Sequence, residues 1–250
     1  MRKQKTYYYH ELTDDLVESE RQNFSLSDDY QIINQNFANK IIRISATGLA
    51  YLLSYGKLHI KVVGKEKLIP YKDQGYFVFA NHTQPVNDAF MPLTILGSQD
   101  YYAIASQSNW GIPFIGKFLL PYGGLPVGKT LKQSVNLLKA IETLIKQNKH
   151  IVIYPEAHVW PYYTKIRPFP ITSMNFPVTF KTPSFTMTTI YQKRRNSKRP
   201  KIVVYIDGPF FTNKNLSKKQ QQIQLHDKIY QQLKQRAALS NCSLYHYQKK

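Results

Sequence analysis

The chain has 250 residues, is 42% hydrophobic and 14% aromatic with nineteen tyrosines, and so carries enough large side chains to bury a core, which excludes a disordered or low-complexity chain. Lys and Arg outnumber Asp and Glu by 34 to 15, a formal charge of +19, and such a field favours an anionic partner: nucleic acid, an acidic membrane surface or a phosphorylated substrate. The single cysteine, Cys242, excludes an intramolecular disulfide and a thiolate-rich metal site and fits a reducing compartment; no apolar run of signal-peptide length follows the first five residues.

Residues 1–36 are polar and hold Glu11, Asp14, Asp15, Glu18, Glu20, Asp28 and Asp29, seven of the fifteen acidic side chains, so they are expected to pack as an arm on the basic body. From Phe37 to Tyr55 the chain turns apolar, with Lys40 and Arg43 its only charges. That stretch is too short and interrupted for a membrane span, which needs roughly 20 apolar residues. Two readings stand: a helix packed in the core, or an apolar helix lying in the interface of an anionic bilayer. Leu58 to Gly64 alternates and ends in glycine, which predicts a strand, and Lys65 to Asp73 is a polar connection.

The next strand, Tyr76-Phe77-Val78-Phe79-Ala80, runs into Asn81-His82-Thr83-Gln84-Pro85-Val86-Asn87-Asp88. A buried strand ending in an imidazole with a carboxylate in reach suits general-base chemistry on a hydroxyl, because the carboxylate fixes the tautomer and stabilises the imidazolium. Beyond it the pattern predicts a helix through Leu96, a short strand Tyr101 to Ala105, and the proline-broken apolar stretch Trp110 to Leu120, suited to a greasy cavity or to lipid. A helix is predicted over Leu131 to Asn148, with Val135, Leu138, Ile141, Leu144 and Ile145 on one face.

Gly123 and Gly128-Lys129-Thr130 meet the formal P-loop spacing, which in the right context cradles phosphates, with Asp207 as the candidate magnesium ligand. Pro126 interrupts that loop, and the stretch before it is short and proline-broken as a strand. His150 to Tyr154 predicts a second buried strand, stopped by Pro155 just before Glu156. Two strands ending at one edge of a parallel sheet place their termini where open α/β sheets bind ligands. The segment Ala157 to Phe169 mixes aromatics with His158, Lys165 and Arg167; strands follow at Pro183 to Tyr191 and Lys201 to Ile206, separated by a basic hairpin-like loop, Lys193 to Pro200. A polar helix, Leu216 to Leu239, closes the chain, with Ile223, Leu225, Ile229 and Leu233 available for packing. The residues predict one α/β domain with an amino-terminal helical extension.

The order of these motifs resembles the glycerolipid acyltransferases of the 1-acylglycerol-3-phosphate acyltransferase type over about residues 40 to 235. That family has an apolar amino-terminal helix, a glycine before a connection (here Gly64), a strand ending in Asn-His (Phe79 to His82), a glycine and apolar residues leading to a cation (Gly124 to Lys129), and an apolar strand ending Pro-Glu-Gly (Ile153 to Ala157). Later strands resemble Pro183 to Tyr191 and Ile206 to Pro209. The chain departs from the pattern in three places. Five residues rather than four separate His82 from Asp88, so Asn87 stands where the family's aspartate is expected; Lys129 replaces an arginine; and Ala157 replaces a glycine. Lysine keeps the charge but loses the bidentate fork, and alanine restricts a turn that glycine leaves free.

The resemblance implies a single glycerol-3-phosphate-acyltransferase-like α/β domain over residues 57–250, with a mixed, mostly parallel sheet flanked by helices. Residues 1–56 are then an arm and a membrane-associating helix. It further implies acyl transfer from an acyl-CoA or acyl carrier protein thioester to a lysophospholipid hydroxyl, with His82 as base, Asp88 orienting it, and Asn81, Lys129, Glu156 and Arg167 at the substrate. No metal or cofactor is implied. The expected partners are the two substrates and an anionic membrane surface, met from its cytoplasmic face as a peripheral or monotopic protein, with no specific nucleic acid. A catalytically silent lipid-binding protein of the same fold and a P-loop nucleotide-binding protein are the competing readings.

Overall fold

The structure is a computed structural model that describes residues 5–17, 23–97, 100–113, 115–195 and 197–250. Glu18 and Glu20 of the acidic arm, Phe114 of the apolar stretch and Asn196 of the basic loop lie outside the described residues. In chain order come β1 (Thr6–Tyr9), α1 (Phe37–Tyr51), β2 (Lys61–Val63), β3 (Tyr76–Ala80), α2 (Met91–Leu96), β4 (Tyr101–Ala105), α3 (Ile115–Leu119) and β5 (Gly124–Pro126). They are followed by α4 (Leu131–Lys146), β6 (His150–Ile153), α5 (Asn175–Phe180), β7 (Ser184–Arg194), β8 (Ser197–Phe210), α6 (Lys218–Ala237) and β9 (His246–Lys249).

A seven-stranded sheet has the order β2-β8-β7-β3-β6-β4-β5. The pairings from β7 through β5 are parallel, β8 runs antiparallel to β7, and β2 follows the direction of β8. This is the mixed, mostly parallel α/β sheet expected. The central strand β3 is apolar along its whole length because both of its faces are covered. Phe77 and Phe79 pack with Leu137, Ile141 and Leu144 of α4 and Leu225, Ile229 and Leu233 of α6. Tyr76, Val78 and Ala80 pack on the other face with Ala46 and Ala50 of α1 and with α2. Neighbouring β6 alternates in step, Ile151 and Ile153 toward the first layer and Val152 toward the second.

Several elements differ from expectation. β2 starts only at Lys61, because a π-helical turn, Leu52–Lys57, continues α1 and His59 adopts a left-handed φ of 50°. The buried stripe of α4 is Leu137, Ala140, Ile141 and Leu144, whereas Val135 and Leu138 face outward. The polar connection after Gly64 forms a 3₁₀ turn, Lys65–Tyr71. Gly64 is required there: its φ is 86°, and an added Cβ would lie 2.4 Å from Ile206 O.

The arm does pack on the body, and it begins with a strand: β1 pairs in parallel with β9 at the far end of the chain. Asp28 accepts from Thr130 Oγ1 at 2.8 Å, Asp29 pairs with Lys132 at 2.7 Å, and Asp15 with His158 at 3.0 Å. Trp110, at the start of the apolar stretch, is buried with its Nε1 donating to Tyr30 OH at 2.9 Å, while Phe24 covers Gly111.

Two local features carry measurable consequences. Asp207 is a clasp: Oδ1 accepts from Lys67 Nζ (2.7 Å) and Arg236 Nη2 (2.8 Å), and Oδ2 from Arg236 Nε (2.7 Å) and Gln232 Nε2 (3.0 Å), which ties β8 to α6 and to the 3₁₀ turn. Burial works to raise its pKa, but the hydrogen bonds and charges of Arg236 and Lys67 outweigh it and hold the carboxyl below its ordinary value. A depressed folded-state pKa contributes stability that is present above the unfolded value and lost as pH falls through the folded one. Asp207→Asn is therefore expected to lower stability by about 2 kcal/mol at neutral pH, with the gap to wild type closing as pH drops below 3.8 in denaturant titrations. Ala157 sits at φ 64°, where a Cβ costs about 1 kcal/mol. Ala157→Gly is expected to leave the unfolding midpoint unchanged or to raise it, since relief of that strain opposes the extra freedom of glycine in the unfolded chain; a fall of several degrees would show that the methyl group packs usefully.

Candidate active site

β3 and β6 are parallel neighbours in register, Phe79 beside Ile153, so their carboxyl ends deliver the His82 turn and the Tyr154-Pro155-Glu156 segment to the same edge. Asn81 ends the strand. Its side chain donates to Thr189 O at 3.0 Å and accepts from Thr189 N at 2.8 Å, replacing the next rung of the β3/β7 ladder with an amide. The main chain is thereby released into a turn without leaving β7 unpaired.

One carboxylate oxygen organises that turn. Asp88 Oδ2 accepts from Thr83 N and Gln84 N, both at 2.9 Å, and lies 2.8 Å from His82 Nδ1. An oxygen already collecting two N–H groups accepts the third as well, which assigns the ring proton to Nδ1 and leaves the Nε2 lone pair free. The Asp88 side chain is 3% exposed and that of His82 24%, so the carboxylate is shielded while the ring reaches solvent. Asn87 points elsewhere, its Oδ1 accepting from Ser54 Oγ at 3.0 Å. The extra residue in the turn is thus accommodated with Asp88 still on the histidine.

Sequence reasoning did not find three aromatic supports. Tyr154 OH donates to Asp88 O at 2.6 Å, and its ring lies 4.5 Å from the His82 ring, centroid to centroid. Tyr191 OH sits between Thr83 Oγ1 (2.9 Å) and Gln84 Nε2 (2.6 Å). Burial pushes both phenols well above their ordinary pKa, so each remains a neutral hydrogen-bonding group. Trp160 donates its main-chain N–H to His82 O at 3.0 Å. A strand-end tyrosine on β6 and another on β7 were visible in the sequence, but only the strand order puts them beside β3.

Glu156 and Arg167 lie beneath the turn. Glu156 Oε2 accepts from His82 N at 3.1 Å and from Arg167 Nη2 at 3.4 Å, and Oε1 accepts from Arg167 N at 2.8 Å. The Arg167 guanidinium also donates to His158 O and, at 3.4 Å, to Leu12 O of the arm, and it lies over the Trp160 ring. Burial raises the Glu156 pKa against the opposing pull of Arg167, and burial lowers that of Arg167. Arg167 is 1% exposed and its charge is enclosed, so the phosphate contact expected of it does not fit; Glu156, with both oxygens engaged from within the protein, holds the His82 backbone.

Lys129 lies apart from this cluster. It follows β5, three strands from β3 and so about 14 Å along the same edge, and its Nζ donates to Phe24 O at 2.8 Å. The P-loop reading fails here. β5 is a three-residue edge strand, an added Cβ on Gly128 would sit 2.5 Å from Ser134 N, the Asp28 carboxylate occupies Thr130, and Asp207 belongs to its own clasp. A polyphosphate would meet a carboxylate at the helix start instead of free N–H groups. Among the described residues, no group of three or more His, Cys, Asp or Glu could hold a metal ion.

A family model described as Acyltransferase matches residues 59–192, more than half of the chain. No curated protein matches the sequence. Among solved structures, the chain is similar to the crystal structure of the 1-acyl-sn-glycerophosphate (LPA) acyltransferase PlsC from Thermotoga maritima, with a TM-score of 0.58 and 18% identity over 84% of this chain and 85% of that one. At that identity the likeness is one of fold. The family match, by contrast, runs through both strand ends that build the histidine turn and its support, and on that ground the chain belongs to the acyltransferase family.

Proposed function

We propose that the protein transfers a fatty acyl group from an acyl thioester, acyl-CoA or acyl carrier protein, to a free hydroxyl of a lysophospholipid such as 1-acylglycerol-3-phosphate. The observation that carries this reading is the 2.8 Å contact between His82 Nδ1 and the enclosed Asp88 carboxylate, with the histidine side chain 24% exposed. In the proposed step, His82 Nε2 takes the acceptor hydroxyl's proton as its oxygen attacks the thioester carbonyl. Collapse of the adduct breaks the C–S bond, and the imidazolium returns the proton to the departing thiolate. Asp88 stabilises the imidazolium between these events. Lys129, farther along the same edge, is assigned to the positive field that draws the anionic substrates, since its ammonium has donors beyond the one on Phe24 O. Asn81, Glu156 and Arg167 are assigned to holding the turn from which the base acts, because the Asn81 amide, both Glu156 oxygens and the Arg167 main-chain N–H and Nη groups are engaged within the protein.

We further propose that the protein works at the cytoplasmic face of an anionic membrane, lying on it. α1 is amphipathic in the inverted sense: Asn39, Arg43, Ala46 and Ala50 are buried, while Phe37 (76% exposed), Ile41, Ile44 and Leu49 face outward, as does Leu52 (68%) of the π-helical turn. An apolar stripe presented outward beside a strongly basic body suits the boundary between head groups and acyl chains. Among the described residues, no helix is long and apolar enough to cross a membrane.

His82→Ala is expected to lower kcat/KM for acyl transfer by about 10³-fold in a protein that stays folded at the assay temperature and melts only several degrees lower for the lost bond to Asp88; equal rates in the two proteins would sink the proposal. Ile41→Ser combined with Ile44→Ser is expected to weaken retention by phosphatidylglycerol-containing vesicles about tenfold or more, since each half-exposed isoleucine contributes on the order of 1 kcal/mol when covered by lipid. Undiminished retention, or preferential capture of nucleic acid at physiological salt, would remove α1 from membrane binding.

A further inference from the structure

The extra residue in the His82 turn has a partner outside the turn. Asn87 is 1% exposed and Ser54 fully buried, and Ser54 Oγ donates to Asn87 Oδ1 at 3.0 Å. Ser54 belongs to the π-helical turn that continues α1, whose widened register closes Leu58 N on Leu53 O, with Ile60 N on Ser54 O. Single-turn π segments of this kind occur mostly within or at the end of α-helices, frequently at functional sites. The contact survives either orientation of the amide, because a hydroxyl both donates and accepts.

Asn87 also anchors the turn that leads into α2. Its carbonyl accepts from Phe90 N at 3.0 Å and from Met91 N at 2.7 Å. Within α2, Thr94 O accepts from Tyr51 OH at 3.3 Å, so α1 and its π turn hold both α2 and the turn before it. Among the described residues the buried Asn87 Nδ2 group has no hydrogen-bond partner, nor has Asp88 Oδ1. An unmade hydrogen bond on a buried amide costs about 1–3 kcal/mol. A small apolar side chain would avoid that cost and forfeit the bond to Ser54. The next residue, Asp88, is the one that binds His82 Nδ1, and its carbonyl is pinned from the opposite side by Tyr154.

We propose that Ser54 and Asn87 are positioning residues that transmit the seating of the α1 segment to the Asp88–His82 pair. The segment whose outward face we assign to the bilayer is thereby joined, through one buried hydrogen bond, to the residue adjoining the carboxylate that orients the base. This inference rests on the acyl-transfer reading for its kinetic consequence but not for its structural one. Turnover is thereby coupled to how α1 is seated against its surroundings.

The test uses the full chain with imidazole-labelled histidine, free and on phosphatidylglycerol vesicles. Ser54→Ala is expected to displace the His82 ring resonances, to abolish the change that vesicles produce in them in wild type, and to lower kcat about tenfold with KM for both substrates unchanged. Ser54→Ala with Asn87→Ala is expected to fall no further than either alone, because both remove the same bond. Wild-type resonances and kcat in Ser54→Ala, or effects that multiply in the double variant, would overturn the proposal. Should Ser54→Ala melt below the assay temperature, Asn87→Ala decides the same question from the other side. A wild type that transfers no acyl group defeats the functional reading, while the resonance comparison still decides whether the bond positions His82.

Discussion

A single carboxylate oxygen holds the functional part of this protein in shape. Asp88 Oδ2 closes the turn on itself through Thr83 N and Gln84 N and in the same position receives His82 Nδ1. Hydrogen bonds to a charged group contribute about 1.5–3 kcal/mol each, so the turn and the tautomer are set together by one group. Everything around it serves that geometry: Asn81 frees the backbone from the sheet, Tyr191 fills the inside of the turn, and Tyr154 fixes the aspartate's own carbonyl.

Beneath the turn lies a second carboxylate with a different task. Glu156 reaches from β6 to the His82 amide and is held there by Arg167, which is itself enclosed by Trp160, the His158 carbonyl and the arm. Both groups resist burial, as the opposite directions of their pKa displacements indicate. A buried pair of this kind is a poor source of stability but costs about 3–5 kcal/mol to break on one side. It fits a role in specifying one arrangement of β6 against β3.

The periphery carries the charge logic. The acidic arm neutralises part of the basic body where it crosses the ends of β4 and β5, through Asp28 on Thr130 and Asp29 on Lys132. The cations of the β7–β8 hairpin, Lys193, Arg194, Arg195 and Arg199 among them, have no ion pair among the described residues and stand at the catalytic edge, because β7 runs parallel to β3 and extends beyond it. A field of this sign favours both the anionic substrates and the anionic surface of the proposed reading.

Much of the molecule was legible in its residues, for identifiable reasons. Apolar runs such as Tyr76 to Ala80 and Ile151 to Ile153 suit strands covered on both faces, so an α/β domain with His82 and Glu156 at strand ends was legible in the residues, while the mixed, mostly parallel order of the sheet was implied by the family resemblance. Periodicity misjudged the stripe of α4, since Val135 and Leu138 satisfy the helical spacing while the position of the sheet selects Leu137 and Ala140. What the sequence by itself determined is the set of chemical groups and the edge to which they are delivered. Tertiary structure alone decided that Asp88 rather than Asn87 meets His82, that Asn87 turns to Ser54, and that Arg167 is enclosed while Lys129 stands apart. Each of those outcomes depends on distances between strands and helices far apart in the chain, and residue spacing along a turn carries no information about them.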